Sequence, residues 1–202
     1  MLTPAVIKPL PKGPYSVLFA DPPWNFKLYS KKGSGRSPSQ HYHTMRLSEI
    51  KALDVPAGDD CHLFLWTTPP HLPQAFSVMR AWGFSYSSMG FIWVKLRPGT
   101  NRLFTVRGQE PSGKGGDYHI GLGHTTRKNA EFCLLGRKGK PKRLRKDIAE
   151  LIVAPVREHS RKPEEAYDRV EIYASGPRLE MFSRTDRPGW DTWGAETGKF
   201  RR

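Results

Sequence analysis

Cysteine is almost missing from this chain: Cys61 and Cys133 are the only two in 202 residues. A disulfide-stapled scaffold and a four-thiolate zinc site are thereby excluded, and a reducing, cytoplasmic setting is expected. No apolar run approaches the roughly twenty residues of a membrane-crossing helix. The amino-terminal stretch MLTPAVIKPLPKG lacks the apolar core of a signal peptide. There is no repeat of fixed period, which argues against a solenoid. There is no GxGxxG, so the usual dinucleotide fingerprint is not the means of holding a cofactor. Acidic residues are scarce, 19 against 33 Lys and Arg, leaving a net charge of +14. That much positive charge on a chain long enough for one domain points to an anionic partner. Nucleic acid comes first and an anionic membrane surface second.

What is present reads as a globular α/β chain. Hydrophobic residues make up 37% and charged residues 26%, a composition that can bury a core. The run Tyr15–Ala20 (YSVLFA) is short and mostly apolar and stops at Asp-Pro-Pro, as a buried strand does. Further strands are expected at 62–67, 89–95, 130–136, 151–154 and 179–183. The spacing predicts helices over 47–53, 71–82 and 163–173, the last opened by Pro163 with Ser160 upstream as a cap. Strands alternating with helices predict a three-layer α/β sandwich. The whole of 1–202 is expected to form a single domain. Residues 97–126 hold seven of the nineteen glycines, and 27–40 is rich in Ser, Gly and Lys. Both read as mobile loops or as plain flexible surface.

One motif carries chemistry. Asp21-Pro22-Pro23-Trp24 stands directly after the first strand. Two prolines end the ladder and stiffen the backbone. Neither offers an N–H, so their carbonyls stand as acceptors with no local donor to satisfy. Asp21 adds a carboxylate and Trp24 a flat face. Such a cluster suits a planar NH2 group on a heterocycle, such as the 6-amino group of adenine. Two acceptors would take its two hydrogens and draw the nitrogen toward tetrahedral geometry, freeing the lone pair to attack a methyl group. A Pro-rich turn with an aspartate cap and a core tryptophan is the other reading of the same four residues.

More of the chain bears on that choice. DPPW is followed by FLWTT (64–68), IWVK (92–95), RKNAEFCLLGRKG (127–139), HSRKPEEAYDRVE (159–171), RLEMFSR (178–184) and GWDTWG (189–194). In this order, from about Tyr15 to Glu196, the blocks resemble the MT-A70 family of adenine-N6 methyltransferases. The resemblance implies a Rossmann-like methyltransferase sandwich with a mostly parallel central sheet. It implies S-adenosylmethionine as methyl donor and the N6 amino group of adenine as acceptor. Asp21, Pro22, Pro23 and Trp24 would hold the target amine, with Asp21 also near the donor. Lys162 would bind the donor carboxylate or support the target base, and Ser160 would touch the donor or cap the helix. Glu180, Arg184, Asp186 and Glu196 fall in the donor-binding blocks. The chain departs from the family where Ala195-Glu196 replaces the usual Asn-Gln, and its 185–187 loop is shorter.

On the acceptor side the resemblance points to Tyr42 and Glu131, the latter with a structural ion pair as its alternative. Trp66 and Trp93 end strands, where they would either stack on a flipped base or fill the core. His41 and His43 flank Tyr42, but without a matching carboxylate or thiolate set no metal is expected. Arg137–Lys146 holds seven basic residues in ten and no acid. Arg137, Lys138, Lys140, Lys142, Arg143, Arg145 and Lys146 are expected to neutralise nucleic-acid phosphates. The reading is therefore a cytoplasmic enzyme, bacterial or phage, acting as monomer or homodimer on DNA. The same reaction on RNA and a non-catalytic nucleic-acid-binding subunit are the rivals.

Overall fold

The computed structural model describes residues 9–25, 44–100, 116–121, 126–158, 161–195 and 197–198. Its centre is one seven-stranded sheet. Strand β1 (Tyr15–Ala20) lies between β2 (Ala57–Thr67) and β6 (Arg178–Met181) and runs parallel to both. Beyond β6, the short β7 (Asp191–Trp193) continues the parallel order. On the other side β4 (Ala130–Lys138) is antiparallel to β2 and to β3 (Ser85–Leu96), and β5 (Leu151–Pro155) is parallel to β3. The order is β5-β3-β4-β2-β1-β6-β7, with β4 alone reversed. This is a mostly parallel, Rossmann-like α/β sheet, as expected.

Helices α1 (Leu47–Lys51) and α2 (Leu72–Ala81) cover one face, and α3 (Glu164–Tyr173) the other. Strand β1 explains why its sequence reads as a continuous apolar run. Leu18 and Ala20 face α1 and α2 with Leu63, Leu65, Leu134, Ile50 and Met79. Val17 and Phe19 face α3 with Phe64, Phe91, Ile152, Ala166 and Val170. In α2 the buried positions Ala75, Val78 and Met79 fall at helical spacing. Because β1 is flanked by β2 on one side and β6 on the other, with covering helices on opposite faces, the chain changes winding direction at β1. Open α/β sheets bind ligands at the carboxyl ends of the strands beside such a reversal.

Several boundaries differ from the sequence reading, each for a local reason. Strands β2 and β3 start earlier, at Ala57 and Ser85, because their first residues, AGDD and SYSS, carry no apolar alternation. Strand β6 stops at Met181 because Phe182 turns left-handed, with φ 63°. Strand β7 is three residues long, too short for a periodicity to show. The N-cap of α3 is Pro163 itself; Ser160 lies outside the described residues. So do 27–40 and most of 97–126. The described ends of the longer stretch are tied to β3: Arg97 N–H donates to Asp117 O and His119 N–H to Lys95 O, both at 2.8 Å. Among the described residues, no helix is long and apolar enough to cross a membrane.

Leu63 is fully buried beneath α2, between β1 and β4. Leu63→Ala is expected to cost about 2–5 kcal/mol of stability through lost transfer energy and an unfilled cavity. Equilibrium denaturant unfolding of the two proteins measures it.

Candidate active site

Asp21 leaves the carboxyl end of β1, its N–H directed at Met181 O of β6 at 3.4 Å. The three residues that follow fold into a fixed turn. Trp24 N–H donates to Pro22 O at 2.8 Å, and Met45 N–H to Pro23 O at 3.0 Å. This corrects the expectation that both proline carbonyls stand without donors. Each is engaged once and retains its second lone pair. Trp24 is also less open than its position in the sequence suggests. It is 5% exposed, donates from Nε1 to Trp66 O at 3.2 Å, and stacks on His71 at 5.7 Å. The His71 ring closes the other end of the turn, with Nε2 donating to Asn25 O at 3.2 Å and Nδ1 3.0 Å from Thr68 Oγ1. Burial lowers the His71 pKa, which suits a neutral ring with its proton on Nε2. Trp24 thus clamps the Asp-Pro-Pro turn onto the sheet.

A line of alternating charges meets at this turn. Lys162, in the segment leading into α3, places Nζ 2.6 Å from Asp21 Oδ2 and 3.0 Å from Glu131 Oε2. The other oxygen of Glu131 pairs with Lys95 Nζ. Glu131 sits on β4 opposite Trp93 of β3, and Lys95 lies two residues further along the same strand. Four elements therefore contribute one charge each. Lys162 is 5% exposed. Burial disfavours its charge, yet Asp21 and Glu131 outweigh burial and hold its pKa above the usual lysine value. For Glu131, burial pushes upward, but Lys162 and Lys95 override it and bring the pKa down to about 2. A buried ammonium without these partners would be costly; between two carboxylates it stays charged.

The two tryptophans lie under these cations. Trp66 is fully buried with Lys162 Nζ 5.4 Å from its ring centroid, and Trp93 is 3% exposed with Lys95 Nζ at 4.8 Å. Trp93 Nε1 donates to Ala154 O at 3.0 Å. Both tryptophans are core residues in this structure, and Trp66 is the floor beneath the Lys162 ammonium.

A second group lies beside Asp21, at the end of β6. Glu180 pairs with Phe19 across β1 and β6 and points to the α3 face. Tyr167 of α3 donates to Glu180 Oε1 at 2.8 Å. Arg187 lies over the Tyr167 ring at 3.7 Å and pairs with Glu164. Burial pushes the Glu180 carboxyl up to about 7, against the Tyr167 and Ser183 hydroxyls and Arg187, which pull it down. Glu180 Oε2 and the Nε and Nη1 of Arg187 have no hydrogen-bond partner among the described residues. Buried acceptors and donors left over in this way ask for a ligand. Arg187 and Asp186 also line an open cleft of about 840 Å³ that runs toward Lys12, Tyr15 and Asp191 and does not include Asp21. The sequence block GWDTWG closes the site from β7. Ser183 N–H donates to Trp193 O at 2.9 Å, and a Cβ on Gly194 would stand 2.3 Å from Ser183 O, so only glycine fits.

Of the residues expected from sequence, the structure brings Asp21, Pro22, Pro23, Trp24, Lys162, Glu131 and Trp66 together, with Glu180 beside them. Trp93 supports Lys95 at the edge of that group. Arg184 is partly buried just past Ser183, while Asp186 is exposed and accepts from Thr192 Oγ1 at 3.1 Å. Tyr42, Ser160 and Glu196 lie outside the described residues, as do His41 and His43. The basic run does not join this site. Strand β4 is the reversed one, so its end at Arg137 and Lys138 pairs with His62 and Cys61 at the far end of β2. Lys140, Lys142, Arg143, Arg145 and Lys146 continue from there. Sequence reasoning missed Lys95, Arg187, Tyr167 and His71. Lys95 was spelled out in IWVK, and Arg187 in the run of charges after RLEMFSR, but neither spacing marks a role.

The site is thus an acidic, proline-bounded turn at the winding reversal of a Rossmann-like sheet, with leftover polar atoms beside it. Residues 15–196 match the MT-A70 family, and the chain belongs to it. It is 29% identical to the type II methyltransferase M.MunI of Mycoplasma sp, over 95% of this chain and 81% of that protein. It is 32% identical to the N(6)-adenosine-methyltransferase MT-A70-like protein of Drosophila melanogaster, over 94% of this chain. It is 31% identical to the N(6)-adenosine-methyltransferase catalytic subunit METTL3 of Homo sapiens, over 90% of this chain. It spans 28% of the length of each of these two animal proteins.

The two buried carboxyls respond to pH with opposite sign. Glu131, lowered by folding, stabilises above its ordinary 4.5, and that contribution is lost as pH falls toward about 2. Glu180, raised by folding, holds its proton better in the native state. Its contribution is complete below 4.5 and is lost as pH rises through about 7. Between these values Glu180→Gln is expected to flatten the stability profile by about 1 kcal/mol per pH unit. Thermal unfolding from pH 4 to 8 reads the slope directly, and an unchanged slope would assign the proton elsewhere.

Proposed function

We propose that this protein transfers a methyl group from S-adenosylmethionine to the N6 amino group of adenine in DNA. The observation that carries the reading is the Asp21 carboxylate at the carboxyl end of β1, held 2.6 Å from the buried Lys162 ammonium. Membership of a methyltransferase family supports the reaction class. The residues around Asp21 fit such a donor. The unpaired Nε and Nη1 of Arg187 suit a carboxylate, and the unpaired Oε2 of Glu180 suits a hydroxyl or ammonium donor. Ser160, Arg184, Asp186 and Glu196 belong to the same proposed set. When bound, the donor supplies an electrophilic methyl on a sulfonium.

The rest is work for the chain's own groups. Asp21 and the second lone pairs of Pro22 O and Pro23 O accept the two amine hydrogens. The fixed turn, clamped by Trp24 and His71, holds these acceptors in place before the base arrives. The amine is not deprotonated in advance; as its nitrogen gains the methyl, the S–CH3 bond of the donor would break to leave a neutral thioether, and Asp21, beside the Lys162 ammonium, takes the amine proton. A base in a duplex must leave the stack to reach this site, and Tyr42 is assigned to receive it. DNA is favoured because the chain spans 81% of the type II enzyme M.MunI. The adenosine methyltransferase names of the other relatives favour RNA as the second reading.

The test is transfer of labelled methyl to duplex DNA, single-stranded DNA and RNA, with digestion to identify the modified nucleoside. N6-methyladenine in DNA is expected, and Asp21→Ala should lower turnover by about 10²–10⁴-fold while leaving the circular dichroism spectrum unchanged. Near-normal turnover in that variant would reject the mechanism, and transfer to RNA alone would replace the substrate.

A further inference from the structure

The reversal of β4 gives the basic run an address of its own. Asp21 follows Ala20, which pairs with Leu65, whereas Lys138 pairs with Cys61. Five residues of strand separate the two levels, about 17 Å along the sheet. The run is not a loose tail at that end. Lys140 N–H donates to Asp60 Oδ1 at 2.6 Å. Lys142 O accepts from His62 Nε2 at 3.4 Å, and Leu144 N–H donates to Tyr173 O at 2.7 Å. Gly139, at φ 64° and with Asp59 O 2.2 Å from where a Cβ would stand, fixes the turn out of β4. The backbone is pinned while the side chains of Lys140, Lys142, Arg143 and Lys146 are exposed and have no ion-pair partner among the described residues. Only Arg145 is paired, with Asp147.

We infer that this strap, from Arg137 to Lys146 at the pole opposite Asp21, is a second nucleic-acid surface that grips phosphates remote from the target base. Fixed cations without counter-charges release condensed counterions when phosphates replace them. Beneath the strap lie His62, its pKa lowered by burial, and Tyr173; of the acids beside it, Asp60 accepts the Lys140 N–H, Asp147 pairs with Arg145, and Asp59 abuts Gly139 through its carbonyl. A duplex of about six base pairs centred on a target at Asp21 reaches only about 10 Å to either side and cannot touch the strap. A duplex of about thirty can.

The experiment measures binding without any methyl donor, so its result stands apart from the proposed reaction. Fluorescence anisotropy on a 30-base-pair duplex at several salt concentrations compares three full-length proteins: wild type, Lys142→Gln/Arg143→Gln/Lys146→Gln, and Lys12→Gln/Lys51→Gln/Arg80→Gln as a control with the same change of charge. The strap variant is expected to bind about ten- to a hundredfold more weakly near 0.1 M salt, with a salt slope smaller by about two to three. The control should lose no more than about threefold. Equal losses in both variants would mean that net charge, not this surface, holds the nucleic acid. Unchanged binding in the strap variant, or binding by the strap to phosphatidylserine vesicles but not to the duplex, would overturn the inference. Each variant's thermal midpoint confirms that it is folded.

Discussion

The ammonium of Lys162, buried between two carboxylates, is the constraint on which the site depends. An ion of this kind is expensive to bring out of water and stays charged only while its partners are in place. Those partners come from different parts of the chain: Asp21 from the end of β1 and Glu131 from β4, the latter held in turn by Lys95 of β3. The acidic turn, the reversed strand and the segment before α3 must therefore all be in register before any one of the charges is compensated. The Trp66 ring beneath Lys162 completes the enclosure from below.

The sheet supplies this register. Strand β1 is apolar on both faces, which fixes it at the centre with α1 and α2 on one side and α3 on the other. Centrality puts its carboxyl end at the point where the winding reverses, and a proline pair there ends the ladder without leaving an unpaired N–H. The neighbouring β6 ends at the same level and turns sharply at Phe182, φ 63°, a costly conformation for a bulky residue. That turn brings Ser183 against Gly194 and leaves Glu180 and Tyr167 close enough to Asp21 to feel its charge. The strain at Phe182 and the leftover polar atoms of Glu180 and Arg187 thus gather where β6 ends.

Much of this was legible in the sequence, for reasons that differ by element. Tyr15–Ala20 was readable to the residue because a strand buried on both faces reads as a nearly unbroken apolar run, and the proline pair after Asp21 marks where it stops. The Asp-Pro-Pro-Trp turn was readable because proline chemistry is local. The polar starts of β2 and β3 were not, since AGDD and SYSS pair through backbone groups that a hydropathy pattern does not see. Nor was the occupation of the proline carbonyls, because Met45, the donor to Pro23, is twenty-two residues away. The location of the basic run was not legible at all. Proximity in a family of motifs says nothing of direction, and one reversed strand among seven moved seven cations to the other end of the molecule.

Helix α3 joins the two ends. It begins just after Lys162 and finishes at Tyr173, whose carbonyl holds Leu144. Its ten residues measure about 15 Å at the rise of an α-helix, and a helix of that length, packed on the sheet through Ala166, Tyr167 and Val170, does not stretch. The molecule therefore carries a ruler of fixed length between the Lys162 ammonium and its basic strap. A polymer that touches both ends is held at two marks of that scale, and the spacing between them is set by the count of residues in one helix rather than by the polymer.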